Sequence, residues 1–225
     1  MNSHRVLAQS DFRKLTGRYP VAKKRIQRFP TSKRLMDIVL CLAVLPFALP
    51  VMAVCAFLIF ITDGSPIIFL QSRTGRGGRT FQMYKFRTMK RNAEELKRKL
   101  AHLNQLQWPD FKVANDPRIT TIGRFLRKTS LDELPQIFNV LRGDMSLVGP
   151  RPTSFDVSTY QLWQTERLEV LPGITGLWQI GGRADVDFDE RTSLDIEYIE
   201  NQSFLLDVKI LFATVFAVVR SRGAY

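Results

Sequence analysis

The alternation of apolar and polar positions divides the chain into a basic opening, one long apolar block and a mixed remainder. Residues 38–62, IVLCLAVLPFALPVMAVCAFLIFIT, carry no charged side chain. As a straight helix this block would measure roughly 37 Å, against a hydrocarbon core of about 30 Å, so its length permits a membrane span. It is too long for a secretion signal and no small-residue cleavage pattern follows it. Pro46 and Pro50 fall inside the block. Each removes a backbone donor and crowds the preceding turn, which predicts a bend. Beyond it, PIIFLQ (66–71) and TFQMYKF (80–86) have strand composition, and SRTGRGG (72–78) supplies loop glycines between them. That arrangement predicts a β-hairpin. Residues 91–107 predict a polar helix with Leu96, Leu100 and Leu103 on one face, and further helices are expected over 120–128, 131–142, 154–170 and 187–201. The stretch 204–222, FLLDVKILFATVFAVVRSR, is interrupted by Asp207 and Lys209 and is too short to span a bilayer. It fits an amphipathic helix lying in the membrane interface or a buried core helix. No internal repeat or low-complexity segment stands out.

Charge sharpens the picture. The 225 residues include 33 Lys and Arg against 21 Asp and Glu, a formal net charge of +12. The expected partner is therefore anionic: nucleic acid, phospholipid headgroups or a phosphorylated small molecule. A 45% hydrophobic content supports a real core. Both flanks of the apolar block are cationic, from Arg13 to Arg34 on one side and from Arg73 to Arg91 on the other. Cationic flanks prefer the cytoplasmic side, and a single crossing would send one cluster outside. With the two prolines, this predicts a bent, re-entrant segment that enters and leaves by one face; a proline-kinked single span is the alternative. Cys41 and Cys55 both lie in the apolar block and match no disulfide framework or zinc signature. With His4 and His102 the only histidines, any metal is expected to be a hard cation on carboxylates.

The chemistry concentrates in TSLDELPQIFNVLRGDMSLVGPRP (129–152). Ser130 and Glu133 fit the S/T-x-x-E capping box, and Asp132 suits a helix N-terminus. Pro135 sits just beyond the first turn of a helix capped at Ser130, and a helix beginning at Asp132 would accommodate it better. Around the two carboxylates the sequence places Lys85 and Arg87 in YKFRTM, Arg118 in NDPRIT, Arg127 in GRFLRKTS and Arg151 in GPRP. The arginine fork suits phosphate oxygens, and a proline on each side of Arg151 fixes its backbone. A carboxylate pair among such cations suits phosphoryl transfer, where positioning and charge stabilisation carry most of the catalysis.

Those motifs, with LPGITGLWQIGGR and FLLDVKIL, resemble the bacterial sugar transferase family, the monotopic polyprenyl-phosphate phosphoglycosyl transferases. The resemblance runs from about Lys33 to Arg220, with the motifs in family order, and GLWQIGGRADVDFDER is most similar to members handling hexose 1-phosphates. It implies an α-dominated α+β fold: a helix-associated β-hairpin core, an N-terminal re-entrant membrane helix and interfacial amphipathic helices. The expected organisation is a basic tail (1–32), a re-entrant helix (33–64) and a cytoplasmic catalytic domain (65–225) ending in an interfacial helix. Many members mark the bend with Ser-Pro; here the matching pair is Leu49-Pro50.

The resemblance also implies an activity. A hexose 1-phosphate passes from UDP-galactose or UDP-glucose to undecaprenyl phosphate with release of UMP, as the first membrane step of exopolysaccharide synthesis. Asp132 matches the nucleophile and Glu133 its partner in the dyad. An Asp132 kept ionised by arginines, Mg²⁺ and a helix N-terminus would attack the β-phosphorus and form an aspartyl-phosphosugar, giving ping-pong kinetics. Mg²⁺, held by Asp132 or Glu133, would neutralise the diphosphate. Lys85, Arg87, Arg118, Arg127 and Arg151 are the phosphate-binding candidates, and Gln179 and Arg183 the nucleotide or sugar contacts. Expected partners are the UDP-hexose, undecaprenyl phosphate and an anionic phospholipid surface. The expected location is the cytoplasmic face of the bacterial inner membrane, with both termini in the cytoplasm. Rival readings are direct attack in a ternary complex, a silent membrane scaffold, and a nucleic-acid-binding protein. The last is disfavoured because the cations sit in proline-bounded turns and no nucleic-acid-binding signature is present.

Overall fold

The computed structural model of the chain describes residues 30–104, 113, 115–181 and 187–219. The expected tail lies outside the described residues as far as residue 29, as do Arg183, Arg220 and Arg222. The apolar block lies within helix α1, Thr31–Asp63, which contains Pro46 and Pro50. Its buried positions Lys33, Asp37, Cys41, Ala48, Met52, Cys55 and Ile59 recur at helical spacing and form one face. The rest is apolar and open, with Phe47 78% exposed and Val54, Phe57 and Phe60 each more than half exposed. A helix that is greasy all round but covered on one face only asks for lipid on the others. By length and composition it is the one helix among the described residues that could cross a membrane.

Both ends of α1 are fastened to the same folded unit. At the N-terminal end Lys33 Nζ donates to Asp207 Oδ2 at 2.7 Å, and Asp37 accepts from Ser146 Oγ at 2.8 Å and from the Leu147 backbone at 3.1 Å. At the other end Arg87 Nη2 donates to the carbonyls of Asp63 and Gly64, each at 2.7 Å. Those carbonyls are among the orphan acceptors of a helix C-terminus, so the arginine caps α1 with charge of the right sign.

The expected hairpin is present: β1, Ile68–Thr74, pairs antiparallel with β2, Thr80–Phe86, in a register that sets Phe69 opposite Lys85 and Arg73 opposite Phe81. The strand extends three residues further into the basic loop than composition predicts. The connection closes on Gly77 and Gly78, both at positive φ. Helix α2, Ala93–Lys99, is shorter than the polar helix expected over 91–107, which continues only as a 3₁₀ turn at Ala101–Leu103 before residue 105 passes outside the described set. Helix α3, Thr121–Lys128, matches its expected span, capped by Thr120 Oγ1 accepting from the Gly123 N–H at 3.0 Å. A Cβ on Gly123 would stand 2.1 Å from the Thr88 carbonyl oxygen, so glycine is what lets α3 lie against the end of the hairpin.

The helix expected over 131–142 is divided. A 3₁₀ turn, Leu131–Glu133, precedes α4, Gln136–Arg142, with Pro135 at the N-cap. Proline cannot donate to a continuous ladder, so the break falls beside it. Fully buried Asn139 then locks α4 to the sheet edge: its amide accepts from the Tyr84 N–H at 2.9 Å and donates to the Gln82 carbonyl at 2.7 Å. The helix expected over 154–170 is absent as an α-helix; 3₁₀ turns at Val157–Thr159 and Trp163–Leu168 replace it. Asp156 accepts from the Ser158 N–H, and the Thr165 hydroxyl donates to the Leu162 carbonyl. Such local bonds compete with a helical ladder.

A second small sheet, not anticipated from composition, pairs β3, Ser146–Val148, in parallel with β4, Gly173–Thr175. A one-turn helix α5, Leu177–Ile180, then α6, Phe188–Glu200, and α7, Phe204–Val219, complete the described chain. Helix α6 agrees with the expected 187–201 and is capped by Asp187 accepting from the Glu190 N–H. Helix α7 buries Asp207 and Ile210 against the domain and turns Phe204, Leu205, Phe212, Val215 and Phe216 outward. One face is core, as the buried-helix reading expects, and the opposite face is exposed and apolar.

The parallel pair brings Gly173 so close to Gly149 that a Cβ at Gly173 would meet the Gly149 backbone nitrogen at 2.1 Å. Gly173→Ala is expected to lower stability by about 1–3 kcal/mol through this clash. A lower midpoint of thermal unfolding in detergent checks it, and an unchanged midpoint contradicts it.

Candidate active site

The turn carrying the two carboxylates is built by its neighbours. Leu131 and Leu134, three apart and eclipsed in a 3₁₀ turn, pack against the core. Asp132 and Glu133 occupy the intervening positions. Ser130 sits in the left-handed region at φ 56° and its side chain caps nothing. The capping-box reading of Ser130 and Glu133 is thereby excluded, and the Glu133 carboxylate is free for another task.

That task is to hold two cations. Glu133 Oε1 accepts from Lys85 Nζ at 2.7 Å and from Arg151 Nη2, while Oε2 accepts from Arg151 Nη1 at 3.2 Å. Three segments distant in sequence meet there: β2, the 3₁₀ turn and the Gly149–Pro152 link. Arg151 and Lys85 hold the Glu133 carboxyl far below the ordinary carboxylate range, against the opposing effect of burial. Glu133 in turn raises the affinity of Arg151 for its proton, whereas burial makes Lys85 a weaker base than usual. The main chain of Arg151 is also fixed, since its carbonyl accepts from Arg167 Nη2 at 2.8 Å. Buried Arg167 is held by an ion pair with buried Asp195 at 2.6 Å.

Asp132 stands in contrast. It is 8% exposed, and its carboxylate makes no hydrogen bond or ion pair with any described residue. Burial raises its pKa above the ordinary value, although Lys85, Arg127 and Arg151 pull the other way. Arginines, Mg²⁺ and a helix N-terminus were expected to keep it ionised; among the protein's own groups, desolvation is a larger effect than the neighbouring cations. The result is a carboxylate with its lone pairs unengaged, beside cations that favour its charged form from a distance. Arg127 is oriented by Nε donating to Thr88 Oγ1 at 2.9 Å.

The remaining expected residues lie apart from this cluster or are committed elsewhere. Arg87 caps α1, as described. Buried Arg118 grips Asp116 with two nitrogens, Nη2 to Oδ2 at 2.6 Å and Nε to Oδ1 at 2.9 Å. Gln179, on α5, donates to the Ile174 carbonyl at 3.2 Å and leaves its buried Oε1 unpartnered. One cation near the dyad was missed as a candidate. Arg73, on β1, is within electrostatic reach of Arg151 and Glu133; burial and then Arg151 bring its pKa down to about 10. Its signal was parity: Arg73 and Lys85 are both odd-numbered in a hairpin whose partners sum to an even number, so they share one face.

For a metal, the described residues contain no group of three acidic or His/Cys side chains. Both Glu133 oxygens are taken by cations, which leaves Asp132 as the available protein oxygen donor of the dyad. Mg²⁺ commonly binds through one or two carboxylates together with substrate phosphates and water, so this donor set fits only with a phosphorylated substrate completing it.

Comparison with known proteins decides the lineage: the model described as bacterial sugar transferase matches residues 27–221. The chain belongs to the bacterial sugar transferase family. Among curated proteins it is 52% identical over 164 residues to a galactosyl transferase, CpsE, of Streptococcus agalactiae, covering 72% of this chain and 36% of that protein. It is 48% identical over 207 residues to the undecaprenyl-phosphate galactose phosphotransferase of Salmonella typhimurium, covering 90% of this chain and 43% of that one. It is 38% identical over 199 residues to the exopolysaccharide production protein ExoY of Rhizobium meliloti, covering 86% and 88%. The chain thus spans less than half the length of the first two relatives and most of the third.

Glu133→Gln is expected to reduce stability by about 1–3 kcal/mol, because Lys85 and Arg151 lose the anion between them. Because the folded-state pKa of Glu133 is depressed, this stabilisation is fully present above the ordinary value of 4.5 and fades as pH falls below it. Denaturant unfolding of wild type and variant at pH 7 and pH 3 checks this: the gap is expected to narrow at pH 3.

Proposed function

We propose that this sugar transferase moves a hexose 1-phosphate from UDP-galactose or UDP-glucose to undecaprenyl phosphate, releasing UMP, at the start of exopolysaccharide assembly. The observation that carries the mechanism is the division of labour in the dyad: Glu133 is saturated by cations, whereas Asp132 is buried and unengaged. An Asp132 oxygen attacks the β-phosphorus of the UDP-sugar. A bond from carboxylate oxygen to phosphorus forms, the bond from the β-phosphorus to the bridging oxygen breaks, and UMP departs with that oxygen. An oxygen of the lipid phosphate then attacks the same phosphorus and expels Asp132, giving the lipid diphosphosugar. Lys85, Arg127 and Arg151 stabilise the charge on the transferring group, and Glu133 keeps Lys85 and Arg151 aimed. Mg²⁺, bound by Asp132 and the diphosphate, would neutralise charge on the donor. Names of relatives support the substrates: one acts as an undecaprenyl-phosphate galactose phosphotransferase and another as a UDP-galactose-lipid carrier transferase.

The setting proposed is the cytoplasmic face of the inner membrane, with α1 re-entrant over 33–64, both termini in the cytoplasm and residues 65–225 the catalytic domain. The attachment of both ends of α1 to one folded unit supports this, as do the prolines within it and the cationic flanks. The outward phenylalanines of α7 suit a helix lying at the lipid surface.

Two experiments test these readings. With a labelled UDP-sugar and no acceptor, wild-type protein is expected to retain label covalently and Asp132→Asn to retain none, while Glu133→Gln turns over more slowly. Initial rates are expected to give parallel double-reciprocal lines; intersecting lines, or an adduct on Asp132→Asn, would overturn the covalent route. Cysteines placed at Thr31 and Ser72, with Cys41 and Cys55 replaced by alanine, are expected to react with an impermeant reagent from the same side of the membrane. Reaction from opposite sides would make α1 a simple span.

A further inference from the structure

The hairpin face that carries Lys85 also carries Arg73, four residues along β1 from the position opposite Lys85. Arg73 is braced by Nη2 donating to Gln71 Oε1 at 2.7 Å, and its buried Nε has no partner. Its place beside Arg151 is fixed by the next residue. Thr74 donates its N–H to the Thr153 carbonyl at 2.9 Å and its hydroxyl to the Phe155 carbonyl at 2.6 Å, which ties the end of β1 to the segment leaving Arg151. Four cations, Arg73, Lys85, Arg127 and Arg151, therefore surround the two carboxylates Asp132 and Glu133, a surplus of positive charge that an incoming anion would balance.

The hairpin is polarised along its length. Ile68, Phe69 and Leu70, next to the C-terminal end of α1, are exposed and apolar, whereas Ser72, Arg73 and Thr74 at the far end are polar. Four residues of strand separate the two ends by about 13 Å. Lys85 leaves the hairpin from the position opposite Phe69, at the apolar end, and reaches Glu133; Arg73 leaves it four residues along the same face, at the polar end.

We infer that Arg73, braced by Gln71 and set beside Arg151, binds the diphosphate of the nucleotide-activated donor, while Lys85 at the apolar end of the hairpin serves the lipid phosphate. The inference rests on the proposed reaction for the identity of the two substrates. A soluble, doubly charged donor arrives from the aqueous side and needs a fork of donors there; a lipid-borne phosphate arrives along the apolar end. Arg73 thus sets donor affinity without touching the acceptor.

The test uses the full chain in detergent, with UDP as the probe for binding and UDP-galactose and undecaprenyl phosphate as substrates. Arg73→Gln is expected to weaken UDP binding about tenfold or more and to raise the donor KM likewise, with acceptor KM unchanged. Arg73→Lys, which keeps the charge and loses the fork, is expected to show a smaller loss in the same direction, and it decides the matter if Arg73→Gln does not fold. UDP affinity within twofold of wild type, or a rise in acceptor KM with donor KM unchanged, overturns the inference. Should wild type bind UDP with the expected dependence on Arg73 yet transfer no sugar phosphate, the proposed reaction fails and the anion site stands.

Discussion

The site depends on one anion held between two cations. Without the Glu133 carboxylate, Lys85 from the hairpin and Arg151 from the link after β3 would repel each other across a poorly solvated gap. With it, three segments far apart in sequence are held in register, and two positive groups remain within reach of Asp132 without bonding to it. The arrangement separates two properties that adjacent acidic residues usually share. One carboxylate is buried in hydrogen bonds and gives up basicity for structure; its neighbour is buried without them and keeps its lone pairs. Local backbone geometry makes the separation possible, because Ser130 in the left-handed region and Pro135 at the head of α4 confine the two residues to a single tight turn.

Support for this pair extends outward in layers. Arg167 holds the Arg151 carbonyl and is itself held by Asp195, so the cation above the dyad is braced through a buried ion pair to α6. Close glycine contacts let the β3–β4 link and α3 approach other backbone without intervening side chains. On the membrane side, Arg87 and the Lys33–Asp207 and Asp37–Ser146 contacts fix both ends of α1 to the domain. The apolar helix and the dyad therefore share one frame, which the proposed transfer from a soluble donor to a membrane-bound acceptor would require.

Much of this was legible in the sequence, unevenly. The hairpin, α1, α3 and α6 follow from periodicity, glycine placement and short polar caps such as Thr120 and Asp187. The dyad and Arg151 stood out because opposite charges were concentrated in proline-bounded turns. Composition could not tell a substrate-binding arginine from a structural one: Arg87 and Arg118 sit in equally basic motifs, yet one caps a helix and the other grips Asp116. The stretch 154–170 has enough apolar residues for a helix, but its Ser, Thr and Asp side chains bond locally and leave 3₁₀ turns. The parallel β3–β4 pair was invisible because three-residue strands joined across a long interval carry no period of their own. Arg73 was overlooked since its role depends on strand register, which becomes readable only once the hairpin is closed.

The amide of Asn139 completes the hydrogen-bonding edge of β2 at Tyr84 and Gln82. A strand edge left open beside a lipid surface, where proteins are concentrated and apolar segments abound, invites pairing with a second chain. One buried side chain therefore occupies the donor and acceptor that a further strand would pair with at Tyr84 and Gln82, while anchoring the helix that follows the dyad.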